Sequence, residues 1–149
     1  RERPVGMILQ PFDNGILRVL VPEGWKHFYG IDSDGKASPK KLHIYKDAQT
    51  ELDIFSKAGI TVIFYGKDEI YVPVKFLYDN VRDLEPFSCG NNLWTGYTCT
   101  SFGYPYTMLT AKAGDATFQV IILTQNGENK ISLNDADVWA IIESIAESK

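Results

Sequence analysis

Cysteine and histidine are scarce, with two of each in 149 residues. No CxxC pair occurs, and neither Cys89 nor Cys99 has a histidine pair nearby, so the spacing of a zinc site is missing. Basic residues form no stripe. The longest Lys/Arg cluster is Lys40-Lys41 and the formal net charge is −4, which argues against nucleic acid and anionic membrane as direct partners. No apolar stretch approaches the roughly 18 residues that a bilayer span needs. Glycine occurs in no phosphate-binding arrangement: both the dinucleotide fingerprint and the P-loop pattern are lacking. Ser101-Phe102-Gly103 lacks the leading glycine of a nucleophile elbow. The carboxylates are scattered, with no pair at an assignable separation.

What is present is ordinary globular material. Hydrophobic residues make up 44% and charged residues 23%, enough to build a single core in one domain. Aromatics reach 13%, including 8 Tyr; tyrosine in that number suits half-buried strand positions and ligand surfaces alike. The chain begins at Arg1, which reads as the trimmed end of a precursor, with residues 1–5 as a linker remnant and 6–149 as one domain. Cys89 and Cys99 lie ten positions apart; that separation permits a disulfide, and two buried thiols fit it equally.

Hydrophobic periodicity sets out the elements. GMILQPF and ILRVLV flank Asp13-Asn14-Gly15, a hairpin signal in which Asn and Gly both tolerate positive φ. KHFYGI is a third extended piece and IDSDGKASPK a polar loop. In KLHIYK, Leu42 and Ile44 share one side. DAQTELDIFSKAG reads as a short helix ended by Gly59. ITVIFY is apolar on both faces and predicts an interior strand. In PVKFLYDNVRDLEPF, Val74, Leu77, Val81 and Leu84 form one helical stripe that starts near Pro73 and stops at Pro86. LWTGYTCTSF, YPYTMLTAKA and TFQVIILTQ read as an antiparallel meander. NDADVWAIIESIAE closes the chain as a helix capped by Asn134 or Asp135. Helices with one apolar stripe each, on a strand-rich chain, predict an antiparallel sheet carrying helices on its faces.

Three stretches together resemble a known family: the second strand running into Pro22-Glu23-Gly24-Trp25, the late Trp94-Thr95-Gly96-Tyr97, and the final Asp137-Val138-Trp139-Ala140-Ile141-Ile142-Glu143-Ser144-Ile145. They resemble the PsbP-like superfamily, which includes the photosystem II extrinsic subunit and the Ran-binding import factor Mog. The likeness is nearest to bacterial secreted lipoprotein members and covers most of residues 6 to 147. The resemblance implies an α+β fold, a three-layer α/β/α sandwich around a mainly antiparallel sheet of about six or seven strands. It also implies a non-enzymatic accessory or interaction role without a cofactor, outside the cytoplasm, reached at the membrane only through an N-terminal anchor. The partner it leaves open is a protein or a glycan.

Candidate chemistry is sparse. Asp32-Ser33-Asp34-Gly35 starts like a calcium loop, but position twelve from Asp32 is His43, not a bidentate Glu, so an Asx turn is the expectation. His27 and His43 would need a third ligand such as Asp32 or Asp34 to hold a metal, and no nucleophile is marked out beside either. Trp25, beside a turn, reads as a fold-sealing residue whose N–H finds a partner at the sheet edge. Binding aromatics are better sought at Trp94, Tyr97, Tyr104 and Tyr106, on the 93–112 strands. Strand parity places Trp94 and Tyr97 on opposite faces and Tyr104 and Tyr106 on one. An exposed aromatic strip there would take a peptide or a glycan.

Overall fold

Asp13 pairs with Arg18 across the first turn, joining β1 (Leu9–Asp13) to β2 (Leu17–Pro22). Gly15 takes the positive φ, 84°. Asn14 works instead through its side chain, whose Oδ1 accepts the N–H groups of Ile16 and Leu17, both at 3.0 Å. This is a computed structural model that describes residues 6–149, so the linker expected at 1–5 lies outside the described residues. The chain continues through β3 (Trp25–Ile31), β4 (Ala37–Lys46), β5 (Gly59–Tyr65), β6 (Asp79–Asp83), β7 (Phe87–Cys89), β8 (Asn92–Ser101), β9 (Tyr104–Ala113) and β10 (Ala116–Leu123). A small hairpin, β11 (Gln125–Asn126) and β12 (Asn129–Lys130), precedes α1 (Ala136–Ser144) and β13 (Ala146–Glu147).

The main sheet has eight strands in the order β3-β4-β5-β10-β9-β8-β6, with β7 also on β8. Every ladder is antiparallel. The expected meander is there: β8, β9 and β10 pair in sequence. After β5 the chain crosses to the far edge, lays down β6 and β7, and returns through the meander to meet β5 again at β10.

The α+β, three-layer α/β/α architecture is not what forms. One α-helix of 9 residues is present among the described residues, on one face only, and the sheet is larger than expected. The stretch at 47–59 makes only a five-residue 3-10 turn, Glu51–Phe55. The stripe at 74–84 also fails as a helix: a 3-10 turn at Lys75–Leu77 leads into strand β6, which pairs with β8. Tyr78, Asp79, Asn80, Val81 and Asp83 are all weak helix formers, and Asn80 sits at φ 53°. The unpaired edge of β8 offers backbone partners that outweigh the apolar spacing.

The core lies between the main sheet and a lid made of α1 and the β1-β2-β13 sheet. Leu17, Val19 and Val21 of β2 and Ile141 and Ile142 of α1 pack against Ile44, Ile60, Val62, Phe118, Val120 and Leu109. Ser144 ties the lid together: its Oγ accepts the Leu20 N–H at 2.8 Å and donates to Ile141 O at 2.7 Å. Asp135 sits at the N-cap, but its carboxylate accepts the upstream Ser132 N–H instead of capping the helix. Trp25 is 6% exposed. Its indole N–H donates to Asp137 Oδ2 at 3.2 Å, and Lys46 Nζ reaches the same oxygen at 3.1 Å. Trp25 thus pins the end of β3 to the first turn of α1, the sealing role its sequence setting predicts.

Candidate functional site

Among the described residues, the second face of the main sheet carries no α-helix. Strand register defines what lies on it, because cross-strand partners share a face. One row runs Phe28, His43, Thr61, Ile121, Met108, Tyr97. The next holds Tyr45, Leu123, Tyr106 and Cys99. A third holds Lys41, Ile63, Gln119, Thr110 and Thr95.

Two connections lie over this open face. At one end the 3-10 turn before β5 lays Ile54 on the cluster of Tyr45, Ala48 and Leu123, against which Tyr106 and Phe28 also pack. Along the other side runs the 66–78 crossover. Its Tyr71 ring packs on Tyr65 at 5.3 Å, and its Tyr78 ring lies 6.4 Å from Tyr97. Between crossover and sheet is a cleft of about 360 Å³, with Tyr71, Pro73 and Lys75 as the wall and Tyr97, Met108, Thr110 and Gln119 as the floor.

The groups in the cleft are hydrogen-bonding but uncharged in net effect. Lys75 Nζ stands 5.3 Å over the Tyr97 ring and pairs with Asp83, so its charge is already answered. Tyr65 OH donates to Gln119 Oε1 at 3.2 Å, which turns the carboxamide and leaves its NH₂ group with no protein acceptor among the described residues. Burial pushes the Tyr97 phenol up to about 12, with smaller contributions from Tyr71, Tyr78 and Cys99. Tyr71, Tyr78 and Tyr106 are raised as well, burial again first. These phenols therefore remain neutral O–H donors at physiological pH.

The four aromatic candidates separate as strand parity predicts. Tyr97 and Tyr106 lie half-buried on the open face, on diagonal positions of β8 and β9. Tyr104 is on the same face at the rim, 44% exposed. Trp94 is on the other face, fully buried in the core, its indole N–H donating to Cys89 O at 3.3 Å. It has no access to a ligand. Sequence reasoning missed Lys75 and Tyr78, which lie in the segment read as a helix, and Tyr71, which lies in the unassigned stretch just before it. Gln119 had a legible signal: it is the one strongly polar side chain in TFQVIIL, on the face opposite Phe118 and Val120.

The remaining candidates are structural. His43 Nδ1 is hydrogen-bonded to Thr61 Oγ1 at 2.7 Å on the open face, with Thr61 only 6% exposed. His27 is on the opposite face, its ring tilted against Phe12 at 4.7 Å. The two histidines therefore share no site, and among the described residues no cluster of three or more His, Cys, Asp or Glu side chains could hold a metal. Burial holds both imidazoles below their usual range, with Lys26 beside His27 and Lys41 beside His43 adding to it. In the 32–36 turn, Asp34 Oδ1 accepts the Lys36 N–H at 2.9 Å, an Asx turn with Gly35 at φ 80°. Cys89 faces the core and Cys99 the open face, and no disulfide joins them. Compared with protein-family models and with curated proteins, the chain finds no match in either.

Proposed function

We propose that this chain is a non-catalytic binding domain that takes a neutral saccharide in the cleft between the 66–78 crossover and the open face of the sheet. One observation carries the reading: the cleft sets the Tyr71 and Tyr97 rings beside neutral hydrogen-bonding groups, with its single cation already paired. A sugar ring has an apolar C–H face and a rim of hydroxyls. It needs an aromatic surface to lie on and neutral donors and acceptors around it. Tyr97 and Tyr71 supply the surface. The Gln119 NH₂ group and the hydroxyls of Thr95 and Thr110, 3.3 Å apart, supply the rim. The volume falls within the range of about 300–1,000 Å³ common for small-ligand sites. This is a concrete form of the accessory role that the PsbP-like resemblance implies, and extracytoplasmic placement belongs to the same proposal.

A glycan array followed by calorimetry on the hits tests it. Wild type should bind a defined neutral glycan. Tyr97→Ala and Gln119→Leu should each weaken binding about tenfold or more while melting as cooperatively as wild type. An array without hits, or a Tyr97→Ala protein that binds as well as wild type, overturns the assignment. So does binding of peptides in place of glycans.

A further inference from the structure

Four bulky apolar side chains stand in solvent on three separate loops, besides Ile70, Val72 and Leu77, which are also exposed on the 66–78 crossover. Phe102 is 98% exposed, Phe76 81%, Phe55 75% and Leu52 74%. Hydrogen bonds hold the three loops at one end of the main sheet. Asn126 Nδ2 donates to Phe55 O at 3.0 Å, and two residues earlier the Thr124 N–H donates to Pro105 O at 3.1 Å. That places the 51–55 turn and the β8–β9 hairpin side by side. On the other flank, Asn80 Nδ2 donates to Thr100 Oγ1 at 2.9 Å, which places the end of the crossover beside the same hairpin.

Phe102 is the most telling of the four. Ser101 pairs with Tyr104, so the loop is two residues, and Phe102 and Gly103 take φ 51° and 82°. Such a turn favours Asn-Gly, and a bulky residue in the left-handed region is strained. Phe102 gains no burial in return. Neither local conformation nor the core accounts for a phenylalanine there, and strain kept at an exposed position points to function.

We infer that these three loop tips insert together into the interfacial layer of a lipid bilayer with neutral headgroups. The four side chains are convex features: Leu52, Phe55, Phe76 and Phe102 line neither the tyrosine cleft, to which the same crossover contributes Lys75, nor the surface clefts at 10–27, 31–69, 46–131 and 11–146. A second copy of the chain would need a receiving groove on the same patch, since a two-fold contact is self-complementary. A fluid acyl layer accepts convex tips without a matching shape. The charges among the tips exclude an anionic surface as the driving force: Glu51, Asp53 and Asp79 are acidic, Lys57 is answered by Asp53, and Lys75 is held by Asp83. The contact is peripheral, since no helix among the described residues is long and apolar enough to cross a membrane. It differs from the sequence expectation of membrane contact only through an N-terminal anchor.

Vesicle flotation tests this with the chain of residues 1–149, using phosphatidylcholine vesicles and vesicles containing phosphatidylserine. Wild type should float with phosphatidylcholine alone and no better with phosphatidylserine. Phe102→Asn installs the favoured Asn-Gly turn, so it should melt at a higher temperature than wild type and still lose about tenfold or more of the partition. Tyr97→Ala should float like wild type, which separates this contact from the cleft. No flotation, flotation only with phosphatidylserine, or undiminished flotation of Phe102→Asn overturns the inference. Concentration-dependent dimerisation that Phe102→Asn abolishes overturns it in favour of self-association.

Discussion

Replacing Trp25 with Ala removes the side chain that joins the corner of β3 to α1. The indole is 6% exposed and packs within the main core cluster. Truncating a buried tryptophan costs about 3–5 kcal/mol, transfer and cavity terms together. The N–H can be separated from the apolar body. Trp25→Phe keeps most of the body and loses only the bond to Asp137. Hydrogen bonds to charged groups contribute about 1.5–3 kcal/mol, but Asp137 keeps Lys46 at 3.1 Å, so Trp25→Phe should cost about 1–2 kcal/mol. Urea unfolding followed by far-ultraviolet circular dichroism reads both values without relying on tryptophan emission. With a slope of about 2 kcal/mol per molar, Trp25→Ala should lower the midpoint by roughly 2 M and Trp25→Phe by less than about 1 M. A double-mutant cycle with Asp137→Asn should return a coupling of about 1 kcal/mol. If Trp25→Ala costs less than about 1 kcal/mol, Trp25 does not seal the core.

Gly96 lies on β8 where an added Cβ would collide with the Met108 carbonyl oxygen and stand 3.0 Å from Leu109 Cδ2; Gly96→Ala should lose about 1–3 kcal/mol in the same assay, and an unchanged midpoint would contradict the close β8–β9 approach. His27 and His43 both have folded pKa values held below the ordinary one, so the unfolded chain takes up protons first as pH falls. Their contribution is complete above about pH 6.5 and is lost progressively below it. Stability measured from pH 7 to 5 should therefore fall less steeply for the His27→Gln/His43→Gln variant than for wild type, and parallel slopes would refute the burial argument.

Much of the strand pattern was legible because period-two alternation and turn chemistry act locally. Asp13-Asn14-Gly15, the ITVIFY strand, the late meander and the closing helix all follow from short-range rules. The 47–59 and 73–86 stretches misled because apolar spacing alone cannot report a vacant strand edge. Leu77, central to the supposed stripe, ends up 67% exposed, while residues 79–83 pair with β8. The site was half legible for the same reason. Parity separated Trp94 from Tyr97 and aligned Tyr104 with Tyr106, since a strand's faces are written in its numbering. Tyr71 and Lys75 belong to a crossover whose path only the assembled sheet defines.

That crossover gives the molecule a dividing line. The chain builds one local meander, β3 to β5, and a second, β8 to β10. Seven residue pairs, Tyr65 with Thr117 through Gly59 with Leu123, stitch the two together in mid-sheet. The short β13–β2 ladder is the second stitch. A backbone cut within 66–78 would therefore yield two fragments with whole hairpins, suited to reassembly by edge pairing. The Tyr65–Gln119 bond crosses the main stitch at the floor of the cleft. The cleft itself is lined by the crossover and the second half alone, so a bound molecule reaches the first half only through Gln119 and its Tyr65 partner, and a cut ahead of Tyr71 should leave the whole binding wall on the second fragment.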